Sequence, residues 1–110
     1  LSTLITYNSS REAFNLWQLG VVTHDRAVIG NNVNIGSGVT IDGTNNHYDE
    51  PTIGDNAIIA TGVKIIGPIV IGKNCVIGAN AVVLSNIPDN CVAVGIPVKI
   101  IKTNIDVSKY

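Results

Sequence analysis

Counting by six along this chain keeps landing on an aliphatic residue: Ile29, Ile35, Ile41, then Ile53, Ile59, Ile65, Ile71, Ile77 and Val83. The next residue is often glycine, at Gly30, Gly36, Gly54, Gly72 and Gly78. Four places on comes a second small or apolar residue: Ala27, Val33, Val39, Ala57, Val63, Ile69, Cys75, Ala81 and Ile87. An α-helix repeats at about 3.6 residues and a strand at about 2, so neither gives this spacing. A fixed short period marks a repeat architecture. The period predicts a parallel β-helix, each unit one short strand plus a turn, with the aliphatic residue pointing into the bore. No unit buries its face alone, and stacked coils make one continuous core.

The remaining composition narrows the field. A chain of 110 residues is read as a single domain. One Phe and one Trp suit a narrow bore filled by Ile and Val. A net charge of −1 gives no electrostatic basis for nucleic-acid binding. No apolar run reaches the length of a membrane span, and no signal-peptide pattern opens the chain. Cys75 and Cys91 lack metal-ligand spacing. Cys75 falls on the inward small-residue position and is read as a buried, reduced thiol, which fits a cytoplasmic location. The chain starts at Leu1 without Met and is read as a piece of something longer.

Residues 1–16 lie outside the repeat. Ser9 and Glu12 have capping-box spacing, and Ala13, Phe14 and Leu16 would share one side of a short helix, with a strand-and-loop segment as the alternative. The phase is traceable from Trp17 and Thr23 and firm from Ile29, giving a β-helix over 17–88. Between Ile41 and Ile53 the stretch 42–52 is polar and has no inward aliphatic residue. It reads as a loop pushed out from the wall, where function tends to sit on a rigid scaffold. Asn31, Asn32, Asn56, Asn74 and Asn80 fill turns because Asn tolerates left-handed backbone angles. Prolines break the period at Pro88, so 89–110 is expected to cap the open end and finish in a short tail from 103.

Several stretches carry a family resemblance: Gly38-Val-Thr-Ile41, Pro51-Thr-Ile-Gly-Asp-Asn56, Val63-Lys-Ile-Ile-Gly67, Ile77-Gly-Ala-Asn-Ala-Val-Val83, Ile87-Pro88 and Val94-Gly-Ile-Pro-Val-Lys-Ile100. Together they span about Val22 to Lys102. The sequence resembles the hexapeptide-repeat acyltransferases, most closely the serine O-acetyltransferase branch and relatives that acetylate sugars. In the last stretch Val98 replaces the Ala of the family's closing Gly-x-Pro-Ala-Lys/Arg motif. The resemblance implies an all-β, left-handed parallel β-helix, a hand opposite to the usual crossover rule. It also implies a homotrimer or a pair of trimers, with an acetyl-CoA site in each cleft between neighbouring helices. Closed cyclic packing of three flat-sided prisms buries one face of each.

Acetyl transfer from a thioester needs a general base, an oxyanion donor and a groove for the long donor arm. Histidine suits the base because its pKa lies near neutrality. The chain has two, His24 and His47. His47 lies in the 42–52 loop, three residues before the place where serine-type relatives carry a histidine, a place held here by Glu50. The family's other histidine falls where this chain has Trp17 or Gln18. Gln18 has no titratable nitrogen and is a candidate for holding the acceptor, as are Asp42 and Glu50. His24 stands beside Asp25 on an expected turn. The resemblance assigns the donor arm to small-residue positions, here Ala60, Thr61, Gly62, Gly78 and Ala79, with Lys99 and Lys102 near the nucleotide phosphates. Small residues also suit any β-helix turn. Lys64 and Lys73 read as solvated charges.

The expected activity is therefore acetyl-CoA-dependent O-acetylation of a small acceptor, serine or a sugar, without a metal. Three readings compete. A carbonic anhydrase on the same repeat needs three zinc-binding histidines, and this chain has two. A non-catalytic trimeric scaffold would account for the missing histidine. An N-acetyltransferase acting on an amino- or nucleotide-sugar shares every feature but the acceptor.

Overall fold

The computed structural model describes residues 4–7, 22–23, 27–42 and 51–110. The six-residue period is realised as a three-sided coil of very short strands. Face A carries β1 (Leu4–Tyr7), β4 (Val33–Gly36), β7 (Ile58–Ile59), β10 (Val76–Ile77), β12 (Val92–Val94) and β13 (Lys99–Lys102), in that spatial order. Face B carries β2 (Val22–Thr23), β5 (Thr40–Asp42), β8 (Lys64–Ile66) and β11 (Val82–Val83). Face C carries β3 (Val28–Ile29), β6 (Thr52–Ile53) and β9 (Val70–Ile71). The chain visits C, A and B in turn. Among the described residues there is no α-helix; the only helical element is a 3₁₀ turn at Val107–Lys109.

Registers follow the period. Ile53 stands opposite Ile71, Ile35 opposite Ile59, and Ile41 opposite Ile65, all in parallel pairs. Both expected columns point inward. Ile35, Ile41, Ile59, Ile65, Ile71, Ile77 and Val83 are fully buried, and Ile29 is 8% exposed. The second column is buried too, from Val33 to Ala81, with Ala27 packed against its end, while Ile87, expected in this column, is buried in the first one beside Ile71. Isoleucine suits this wall because its branched side chain is stiff and fits a pleated surface. Each fully buried side chain contributes about 1.5–3 kcal/mol.

Corners are made by left-handed residues. Asn32, Asn56, Asn74 and Asn90 have φ of 60–61° on the C–A corner, and Asn80 does the same on the A–B corner. Asn31 is not among them; its N–H is taken by Asp55 Oδ1 at 2.8 Å.

At both ends the structure departs from the simple count. Beside Ile35, where three units of six would put Trp17, stands Ile5 of β1, running antiparallel to β4. The β-helix expected from 17 thus has a strand from outside the repeat on face A. Trp17 and the Ser9–Leu16 segment lie outside the described residues. At the other end the stack continues past Pro88. Ile87 bridges to Ile71, and β12 lies parallel on β10, with Val92 opposite Val76 and Ala93 opposite Ile77. This last coil is two residues shorter than the one before, so a count by six loses it while the hydrogen bonding goes on. The cap itself is as expected. After the turn at Gly95–Pro97, β13 pairs antiparallel with β12, and Val98 N donates to Val82 O at 3.0 Å. Face A is therefore closed at both ends by antiparallel strands, a device that covers bare parallel edges. The four residues of β13 are exposed, with lysine at each end.

Candidate active site along one corner of the coil

The A–B corner stacks three turns: Gly36-Ser37-Gly38, Ala60-Thr61-Gly62 and Gly78-Ala79-Asn80. Gly62 N donates to Ser37 O at 3.0 Å, and Asn80 N donates to Thr61 O at 2.9 Å. Ala60 N reaches Ile77 O at 3.1 Å, and Gly78 N reaches Ala93 O at 2.9 Å. The five small residues expected to hold a donor arm thus lie on one edge, in adjacent rungs. Ala79 is exposed there, while Ala60, Thr61, Gly62 and Gly78 are half-buried.

Close packing requires this smallness. A Cβ on Gly36 would meet Thr61 N at 2.5 Å, and one on Gly78 would meet Val94 Cγ1 at 2.7 Å. Gly62 has φ of 75°, and a Cβ there would collide with the Asn80 carboxamide. The corner is smooth because neighbouring rungs leave no room for side chains, and a smooth edge is also what an extended arm can lie along. One polar atom is left over: Thr61 Oγ1 is buried without a hydrogen-bond partner.

Lys99 joins this corner. It stands opposite Val94 in the β12–β13 pair, and Val94 in turn packs over Gly78. Lys102 stands opposite Val92, whose neighbour in the next rung is Val76 at the start of the face-A strand. The two lysines, expected to act together, sit toward opposite corners of face A. Both are exposed, as are Lys64 and Lys73.

Asp42 is elsewhere. It ends β5 on face B, is exposed, and its carbonyl accepts from Gly67 N at 2.9 Å. That places it on the B–C corner, at the root of the 42–52 stretch. Within one chain the structure does not bring Asp42 to the Ala60–Gly78 edge. His24, His47, Gln18 and Glu50 lie outside the described residues. No group of three or more His, Cys, Asp or Glu side chains suited to a metal occurs among the described residues. Cys75 and Cys91 are free and buried, in adjacent rungs of one inward column. The Cys75 thiol donates to Pro88 O at 2.9 Å, and burial pushes its pKa up.

A feature not anticipated from the sequence lies on the C–A corner. Asn32, Asn56 and Asn74 form a side-chain ladder, and the segment after β13 folds back over it. A groove of about 410 Å³ opens between that segment and the ladder. The recurrence of Asn at the same place in successive coils is the signal for it in the sequence.

Comparison with known proteins agrees with this architecture. Residues 50–85 match the family model described as bacterial transferase hexapeptide (six repeats). Residues 26–66 match that described as hexapeptide repeat of succinyl-transferase. No curated protein matches the chain. Among solved structures, serine acetyltransferase from Neisseria gonorrhoeae is 38% identical with a TM-score of 0.74, covering 79% of this chain and 35% of its own. The soybean serine acetyltransferase apoenzyme is 44% identical with a TM-score of 0.71, covering 74% of this chain and 35% of its own. A serine acetyltransferase solved in complex with CoA is 40% identical with a TM-score of 0.68, covering 74% of this chain and 33% of its own. The chain thus spans about a third of the length of the relatives it matches. The fold is a left-handed parallel β-helix.

Proposed function

Because the chain belongs to the hexapeptide-repeat transferase family, we propose that it transfers an acetyl group from acetyl-CoA to a hydroxyl of a small acceptor, serine or a sugar. The observation that carries this reading is the A–B corner: Ala60, Thr61, Gly62, Gly78, Ala79 and Lys99 share one edge in a chain 38% identical to a serine acetyltransferase. A thioester supplies an activated acyl carbon and a thiol leaving group. The chain's own residues bind the arm, take a proton and position the acceptor. The smooth edge lets the arm lie against backbone. Lys99 meets phosphate as a point charge. His47, with His24 as second candidate, takes the proton from the acceptor hydroxyl as it attacks. Gln18, Asp42 and Glu50 hold the acceptor.

The proposal includes self-association. His47 follows five residues after Asp42, which stands on the B–C corner, while the arm is assigned to the A–B corner. A site using both joins edges of two neighbouring copies, and a closed homotrimer, alone or paired with another, gives three such clefts. Among the described residues no helix is long and apolar enough to cross a membrane. Buried free thiols at Cys75 and Cys91 accord with the reducing cytoplasm, where we place the chain.

The test is titration with acetyl-CoA, followed by an acceptor screen over serine, aminosugars and hexosides, reading thiol release. We expect saturable turnover that falls about a hundredfold or more in His47→Ala, the usual contribution of a positioned base. Full turnover in that variant removes His47 from the site. A second reading is a non-catalytic trimeric scaffold, because the resemblance puts Trp17 or Gln18 where the family carries a histidine. Absence of CoA binding at millimolar concentration would select it.

A further inference from the structure

A groove lies on the C–A corner, away from the Ala60–Gly78 edge. After β13 the chain returns to this corner: Ile105 N donates to Asn90 O at 3.0 Å. The 3₁₀ turn that follows is capped by Asp106, whose Oδ1 accepts from Ser108 N at 3.1 Å and from Ser108 Oγ at 2.6 Å. The turn stands over the outer surface of face A and leaves the groove of about 410 Å³ lined by Asn32, Asn56, Ile58, Val107, Ser108 and Tyr110 among others. That volume falls in the range of small-molecule sites, roughly 300–1,000 Å³.

The lining specifies a chemistry. Among the described residues no charged side chain lines the groove. Ile58 and Val107 give it an apolar floor, and the Tyr110 ring adds an aromatic face. The polar groups are carboxamides and the Tyr110 hydroxyl, which both donate and accept as sugar hydroxyls do, and the Ser108 hydroxyl, which gives its proton to Asp106 and offers a ligand its lone pairs. Asn32 Nδ2 donates to Asn56 Oδ1, so the Asn32 carbonyl oxygen and its second N–H are left for a ligand. Among the described residues Tyr110 is the one aromatic side chain in the lining. A saccharide needs one apolar or aromatic face for its C–H side and a ring of two-way hydrogen-bonding groups for its edge.

We propose that this groove binds a neutral saccharide unit, with Tyr110 under the sugar's C–H face and Asn32 and Ser108 at its hydroxyls. The site lies on a different corner from Ala60, Gly62 and Gly78, so it stands whether or not the chain transfers acetyl groups.

The test is saturation-transfer NMR on the full chain with methyl β-glucopyranoside and N-acetylglucosamine, with glucose 1-phosphate as the charged comparison. We expect millimolar binding of a neutral sugar, weakened about tenfold in Tyr110→Ala and less in Tyr110→Phe, which keeps the ring. Tyr110 is 54% exposed, so its removal leaves the core intact. Binding should be unchanged in His47→Ala and in Ala79→Trp, which obstructs the acyl-transfer edge. Four results would overturn the proposal: no saturation of any neutral sugar at tens of millimolar; full binding in Tyr110→Ala; loss of binding in Ala79→Trp or His47→Ala; or tighter binding of the phosphorylated sugar. Failure of acetyl transfer with sugar binding retained would overturn only the enzymatic reading.

Discussion

Asn32 and Asn56 are 24 residues apart in sequence and one rung apart in space, with Asn32 Nδ2 donating to Asn56 Oδ1 at 3.0 Å. Asn56 passes the bond on, its Nδ2 reaching Asn74 Oδ1 at 3.1 Å. Each residue turns the corner in the left-handed region, with φ of 61°, 61° and 60°. One residue type therefore does two jobs. Its backbone accepts the turn, and its side chain ties that turn to the next.

The two jobs can be separated at Asn56. Alanine keeps neither, and a left-handed Ala costs about 1–2 kcal/mol before any lost hydrogen bond. Glycine keeps the turn and loses the ladder. We expect Asn56→Ala to destabilise the protein by about 2 kcal/mol and Asn56→Gly by about half that. Urea unfolding at fixed protein concentration measures both. Equal losses would mean that φ carries none of the cost.

Ile58 and Ile59 are chain neighbours on opposite sides of the wall. Ile59 is fully buried and faces Ile35 and Ile77 in the adjoining rungs. Ile59→Ala should cost about 2–5 kcal/mol and Ile59→Val about 0.5–1.5 kcal/mol. Ile58, half-buried and outward, should cost clearly less when cut to Ala. A reversed order in denaturant midpoints would contradict the inward column.

Cys75 gives a pH signature. Burial raises its thiol pKa first, against the backbone hydrogen bond at Cys91, which lowers it, and with the charge of Asp89 adding to the rise. A raised folded pKa means that the native state holds its proton more tightly than the unfolded chain. This stability is fully present below the ordinary thiol pKa of about 8.5 and is lost as pH rises through the folded value. Stability should therefore be level through neutral pH and decline in alkali. Cys75→Ala should flatten the decline, and Ala57 in the adjoining rung shows that Ala fits this column. An alkaline limb unchanged in the variant would assign the loss to other groups.

Lys99 and Lys102 should not be equivalent. Lys99 stands beside the A–B corner and Lys102 toward the other side of face A. An exposed charge pair is worth about 0.2–1 kcal/mol, so Lys99→Ala should raise the CoA Kd about 1.4- to fivefold. Lys102→Ala should change it less. Calorimetry in low salt reads both, and a larger effect at Lys102 would move the phosphates off the A–B corner.

Much of this was legible beforehand. The inward columns, the corner asparagines and the returning cap follow from residue type and spacing. The face-A partner of Ile35 was not. A six-residue count extends backward to Trp17, whereas the place belongs to Ile5, reached by a strand of opposite direction. The count also stops at Pro88, because the Val83–Ile87 corner is shortened while hydrogen bonding to the rung before continues. At the candidate site, the small residues could be named from sequence but not sorted. Only the structure shows that Gly36 and Gly78 are demanded by rung contact while Ala79 is exposed.

The order of residues alone determined which side chains fill the bore, because a strand fixes the facing of every second residue and a repeat brings the same facing back each turn. Tertiary structure decided what spacing cannot encode: which corner each turn occupies, how far apart Asp42 and Ala60 lie around the prism, and which segment closes each end. Those depend on how the coil winds and where non-repeating chain comes back to it. Bonds between rungs are made through space, between residues that no local pattern pairs.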